Sequence, residues 1–189
     1  MPYEDFLAYV VTDAAAKWQA AFEEANVPYS DVDFVPYDRS VRSPCGQGDQ
    51  VTGPGYCSTN QTIYFPTNWV DLNTGKVMAE YGDFAMAIVA AHEVGHHVQE
   101  QLGLLEGQYP TLKTELEADC LAGVWGYSQY ENVEPGDVGE AMEISWDSGD
   151  LPGTPRNAPY THGKPKERVK WFRTGYDSGD PTQCYTLTP

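Results

Sequence analysis

The chain has 189 residues, of which 41% are hydrophobic, enough for a sizeable core and within the usual length of one domain, so residues 1–189 are read as a single unit. Its 28 acidic residues against 11 basic ones give a formal charge of −17. Such a surface repels phosphate backbones and anionic headgroups, which excludes nucleic acid and membrane surfaces as expected partners.

The first residues lack the basic and apolar regions of a signal peptide, and the longest uninterrupted apolar run, Phe84 to Ala91, is too short to span a bilayer. The chain is expected to be cytoplasmic, or to have lost a leader or anchor before this numbering begins. Four cysteines bear on that choice. Cys45, Cys57, Cys120 and Cys184 show no C-x-x-C spacing, so two disulfides are the simplest reading, with four reduced thiols as the alternative. Cys45 and Cys57 bracket a Gly- and Pro-rich stretch with little means of ordering itself, which favours their pairing and leaves Cys120 for Cys184. Disulfides point to an extracytoplasmic or secreted location.

In chain order, Tyr3 to Ala25 repeats apolar residues at three- and four-residue intervals and is predicted as an amphipathic helix. Val32 to Tyr37 alternates and reads as a strand, and Thr62-Ile63-Tyr64-Phe65 as another, stopped by Pro66. Asp83 is expected to be the N-cap of a central helix running to about Leu102 and closed by Gly103. Further helices are predicted over Leu112 to Tyr130, Gly136 to Trp146 and Pro165 to Tyr176, with a Pro- and Gly-rich loop, Ser148 to Lys164, before the last.

The central helix carries His92-Glu93-Val94-Gly95-His96. Residues four apart differ by about 40° of rotation, so His92 and His96 present their imidazoles from one face and can share one zinc ion. Glu93 lies about 100° round from His92, close to the metal yet offset, where it can take a proton from water as general base. A catalytic zinc needs a third protein ligand. Glu115-Leu116-Glu117-Ala118-Asp119 opens the next helix, with Glu115 and Asp119 again four apart. Glu115 is the expected ligand, Glu117 the runner-up, and Asp119 the acceptor for a histidine's other ring nitrogen. His97 is turned away from the metal face and is not counted as a ligand.

Ala91-His92-Glu93-Val94-Gly95-His96-His97-Val98-Gln99, then Glu115 to Trp125, then His162-Gly163 with Arg168-Val169-Lys170-Trp171-Phe172 and Ser178-Gly179-Asp180-Pro181, resemble in order the putative neutral zinc metallopeptidase family of bacteria. The resemblance spans roughly Tyr56 to Cys184. It implies a zincin-like, gluzincin-like centre with His92, His96 and Glu115 on one Zn2+, Glu93 as base and Asp119 behind them. Members often begin with a membrane anchor, which is not found here.

The fold expected is α+β, a small mixed or antiparallel sheet packed on the N-terminal and active-site helices, with a mostly helical C-terminal half. The function expected is hydrolysis of peptide bonds in a peptide or protein substrate. The oxyanion donor is expected from the loop before the last helix, His162 first and Tyr160 second, with a plain turn or capping role for His162 as the alternative. Thr62 to Phe65 is either an edge strand that pairs with substrate or an ordinary interior strand. Rival readings are a zinc amidase or deformylase-like hydrolase and a non-catalytic zinc-stabilised binding module. Glu93 counts against the last.

Overall fold

A computed structural model describes residues 1–71, 74–77, 80–105, 111–158 and 161–186. Helix α1, Tyr3–Glu24, buries Leu7, Val10, Val11, Ala14, Trp18 and Phe22, the stripe that its periodicity requires. Strands β1 (Asp33–Tyr37), β2 (Val41–Gln47), β3 (Gln50–Val51), β4 (Gly55–Cys57) and β5 (Thr62–Pro66) follow. Helices α2 (Asp83–Gln101), α3 (Leu112–Ser128), α4 (Asp137–Asp147) and α5 (Pro165–Ser178) then fill the C-terminal half, ending in a 3-10 turn at Pro181–Tyr185. The architecture is α+β, and the sheet is mixed: order β1-β5-β4, with β1 parallel and β4 antiparallel to β5, beside a separate β2-β3 pair.

Two expectations change. Strand β5 is the middle strand, paired on both sides and buried at every residue, so the interior reading holds and the edge reading does not. No free main-chain edge remains on β5 for a substrate. The edge nearest α2 belongs to β4, whose short span between turns gave a weaker sequence signal than the apolar run of β5. Asp83 is also not the N-cap of α2. Gly82 is, with φ of 95°, and Asp83 is the first helical residue with no capping hydrogen bond from a side chain. The Glu140 carboxylate from α4 occupies that space instead, over the first backbone N–H groups at Phe84 and Ala85.

Both disulfides form with the expected partners, Cys45–Cys57 and Cys120–Cys184. The first ties β2 to β4. The second holds the terminal 3-10 turn to α3. Among the described residues no helix is long and apolar enough to cross a membrane.

Helix α2 is the centre of the core, with Phe84 through Ile88 and Ala90 through Gln99 buried. It passes very close to α3 at Gly95, where an added Cβ would lie 3.2 Å from the Ala118 Cα and 3.3 Å from its carbonyl oxygen. A larger residue at this point would hold the helices apart. Close approach of these two helices is what lets side chains of one reach those of the other. The N-terminus of α3 is fixed by a reciprocal cap, in which Thr111 Oγ1 accepts from Thr114 N and Thr114 Oγ1 accepts from Thr111 N. That cap sets the first turn, and Glu115 lies in it.

Candidate metal centre

Three donor groups converge between α2 and α3. His92, His96 and Glu115 are each buried, and a ligand atom from each lies within 4.8 Å of the others. His92 Nε2 stands 3.3 Å from Glu115 Oε2, and His96 Nε2 stands 3.5 Å from Glu115 Oε1. The two rings are nearly perpendicular, with centroids 4.7 Å apart.

What fixes the rings lies behind them. His92 Nδ1 donates to Asp119 Oδ1 at 2.9 Å, and His96 Nδ1 donates to Gln99 Oε1 at 2.9 Å. Both partners are acceptors, so in the neutral imidazoles the proton sits on Nδ1 and the lone pair on Nε2. Two lone pairs therefore face one carboxylate. Such an arrangement repels itself unless a cation, a proton on one ring or a metal ion, lies among the three groups. Glu115 Oε2 confirms the imbalance: it is wholly enclosed and receives no hydrogen bond of acceptable geometry despite its closeness to His92. Burial works against a protonated His92, yet the Asp119 and Glu115 carboxylates outweigh it and push the ring up to about 10. Burial would likewise raise Glu115, but the two imidazoles hold it well below the usual carboxylate range. The pocket stabilises positive charge. Two imidazole nitrogens and a carboxylate are a donor set that suits zinc with one position left open.

Asp119 is itself gripped. Arg168 from α5 reaches it twice, Nε to Oδ2 at 2.9 Å and Nη2 to Oδ1 at 2.6 Å, and turns Nη1 to the carbonyl and hydroxyl of Ser148 at 3.0 and 2.8 Å. Burial opposes the Asp119 carboxylate, but Arg168 and the His92 hydrogen bond hold it below its ordinary value. Arg168 stays charged for the same reason. The chain of contacts runs from Ser148 through Arg168 and Asp119 to His92.

A cleft of about 480 Å³ opens over this centre. It is lined by His92, Glu93, Asp119, Arg168 and His162 together with apolar groups such as Trp69, Ile88, Val89 and Ile144. Glu93 is only 7% exposed, and that small opening is into the cleft. Among the described residues it makes no hydrogen bond or ion pair, and the Arg168 guanidinium is near enough for the two charges to interact.

His162 is brought to the cleft and is exposed there. Its loop is clasped by Asp150, which accepts from the Thr161 hydroxyl and from the backbone N–H of His162 and Gly163. Tyr160 lies outside the described residues. Glu117 is not brought to the histidines: its oxygens lie 3.3 Å from Gln99 Nε2 and 3.8 Å from Lys113 Nζ. His97 is fully buried between the Tyr56 hydroxyl and the Ser30 carbonyl, on the side of α2 away from Glu115.

Two partners escaped the sequence reading. Gln99 stands three residues after His96, a helical neighbour whose spacing was a usable signal. Arg168 is 49 residues from Asp119, and only its place in a family-like motif marked it.

The fold and site thus define an α+β protein with a buried His–His–carboxylate centre shared by two packed helices. Residues 2–187 match the family described as putative neutral zinc metallopeptidase, and the chain belongs to that family. The match reaches back through the N-terminal 55 residues, which the sequence motifs had left outside the resemblance. Among its relatives is an uncharacterized protein of Escherichia coli, YpfJ, 36% identical over 211 residues, covering 98% of this chain and 73% of the relative. An uncharacterized protein of Mycobacterium tuberculosis is 33% identical over 178 residues, covering 80% of this chain and 61% of the relative. No solved structure matches the chain.

Proposed function

We propose that the chain is a zinc-dependent peptidase in which His92, His96 and Glu115 hold the metal and Glu93 is the general base. The observation that carries this reading is the pair of Nε2 lone pairs turned on one buried carboxylate, beside a second carboxylate that borders an open cleft. Zinc, when bound, supplies a Lewis acid that polarises a carbonyl and makes water a nucleophile near neutral pH.

The chain's own residues do the rest. Glu93 removes a proton from the attacking water and later gives it to the leaving amine as the C–N bond breaks. Asp119 and Arg168 hold His92 in one tautomer through the reaction. His162 is the group offered to the oxygen of the attacked carbonyl, on a loop that Asp150 keeps in register. Ile88, Val89 and Ile144 give the cleft an apolar wall against which a substrate can pack. A peptide or protein is the substrate class, and the two disulfides favour an oxidising, extracytoplasmic compartment.

The test compares zinc content and turnover of casein and of a mixed peptide library for the wild type and Glu93→Gln. Zinc retained at one ion per chain, with turnover lost by at least about a hundredfold, is the expected result. Equal turnover by the variant removes Glu93 from the role of base. Activity restricted to small formyl-peptides would instead assign a deformylase-like reaction to the same centre.

A further inference from the structure

His92 is oriented by a carboxylate from the facing helix, whereas His96 is oriented by a neutral amide from its own. Gln99 is completely buried, and each end of its carboxamide has a separate task. Oε1 accepts from His96 Nδ1 at 2.9 Å. Nε2 donates to the Thr114 carbonyl at 2.8 Å and toward Glu117 Oε2 at 3.3 Å. Thr114 immediately precedes Glu115 in the first turn of α3.

We propose that Gln99 is a positioning residue of the metal centre, a single amide that sets the His96 ring and the backbone bearing Glu115 relative to one another. This rests on the reading of His92, His96 and Glu115 as a zinc site.

The chemistry needs an acceptor at one end and donors at the other, at the reach of three side-chain carbons beyond the backbone. A carboxylate would satisfy His96 but would have no proton for the Thr114 carbonyl and would be pressed against Glu117. A thioether would fill the volume and do neither. The amide's orientation is settled by its surroundings, because reversing it would turn an oxygen to both the Thr114 carbonyl and the Glu117 carboxylate. His96 is thereby fixed with Nδ1 protonated and Nε2 presented inward. The two histidines are held by opposite means that cross the same helix pair: Asp119 reaches from α3 to a ring on α2, and Gln99 reaches from α2 to the main chain of α3. Gly95, between the two histidines, brings the helices close enough for both straps.

The experiment measures the zinc dissociation constant of the metal-free wild type and of Gln99→Met by competition with a chelating dye, together with the visible spectrum of each protein loaded with cobalt(II). Loss of an oriented outer partner typically lowers metal affinity about 10–100-fold. The expected result is a tenfold or greater loss for Gln99→Met with a shifted cobalt spectrum. A smaller loss with an unchanged spectrum overturns the proposal, even if the variant melts earlier, because a strap that serves stability alone would leave the ligand field as it was. Should Gln99→Met not fold, the zinc-loaded wild type decides by histidine-labelled nitrogen NMR. His96 bound through Nε2 with Nδ1 protonated supports the assignment, and His96 bound through Nδ1 overturns it. Wild type that binds no zinc would instead sink the underlying reading, so the two failures are separable.

Discussion

Substituting Gly175 by alanine should destabilise the protein even though alanine is the better helix former. In an open helix interior the change gains about 1 kcal/mol. Here α5 lies backbone to backbone on α3. A Cβ at Gly175 would stand 1.9 Å from the Cys120 carbonyl oxygen and 2.8 Å from Val124 N, and one at Gly123 would stand 2.2 Å from the Phe172 carbonyl oxygen. Ordinary contact begins at 3.4 Å, so α5 must retreat by up to the difference, 3.4 − 1.9 = 1.5 Å, at this point. Main chain cannot rotate aside, and the fully buried Phe172 and the Cys120–Cys184 bridge pin the neighbouring turns. Overpacking of that kind costs about 3 kcal/mol, the upper end of its usual range, which leaves a net loss of about 2 kcal/mol against the propensity gain. For a chain of this length that corresponds to a fall of roughly 4–8 °C in melting temperature. Arg168 lies two turns before Gly175 on α5, so its grip on Asp119 loosens as well. Urea denaturation followed by circular dichroism measures the effect. Gly139→Ala is the control, because a Cβ there meets no atom within 4 Å on α4 and should show only the propensity gain. If Gly175→Ala is as stable as wild type, or gains as Gly139→Ala does, the close-packed α3–α5 contact is wrong.

Removing the disulfides separately should rank them by the chain they close. The Cys45–Cys57 bridge spans 12 residues and the Cys120–Cys184 bridge 64, for which loop-closure entropy gives about 3 and about 4 kcal/mol. Paired alanine variants compared in urea check the order, and a larger loss at Cys45–Cys57 would contradict it. Acid should expose the Arg168–Asp119 pair. The folded-state pKa of Asp119 lies below its unfolded value of about 3.9, so its contribution is complete above about pH 4 and fades as pH falls through the lower folded value. In the metal-free protein, Arg168→Met should move the acid limb of the stability curve to higher pH. Superimposable limbs for variant and wild type between about pH 5 and pH 2 would show that Arg168 is not what holds Asp119 ionised.

Much of the centre was legible because a helix makes spacing into geometry. His92 and His96 share a face by period alone, and Glu115 and Asp119 repeat that logic one helix later. The cysteine pairing was legible for a related reason, since a polar Gly- and Pro-rich stretch bracketed by Cys45 and Cys57 has few other ways to order itself. Less legible were roles that depend on which surface meets which. The edge or interior position of Thr62–Phe65 is a property of its neighbours, β1 and β4, and the apolar character of the strand fits both. Likewise Asp83 has the chemistry of an N-cap, but Glu140 from another helix had already taken that end of α2.

The sequence by itself determined the periodic elements, the α+β class and which residues share a face of α2 or of α3, because those follow from bonds along the chain and the rotation per residue. Tertiary structure alone decided what stands behind His92, His96 and Glu115. Arg168 on Asp119, the reach of Gln99 to Thr114, and the Asp150 clasp on the His162 loop join residues that chain periodicity does not relate. The first two follow from helices drawn together at Gly95, Gly123 and Gly175, where the absence of a side chain sets the distance. A buried charge or amide then has to find its partner across that contact, since water is not there to serve.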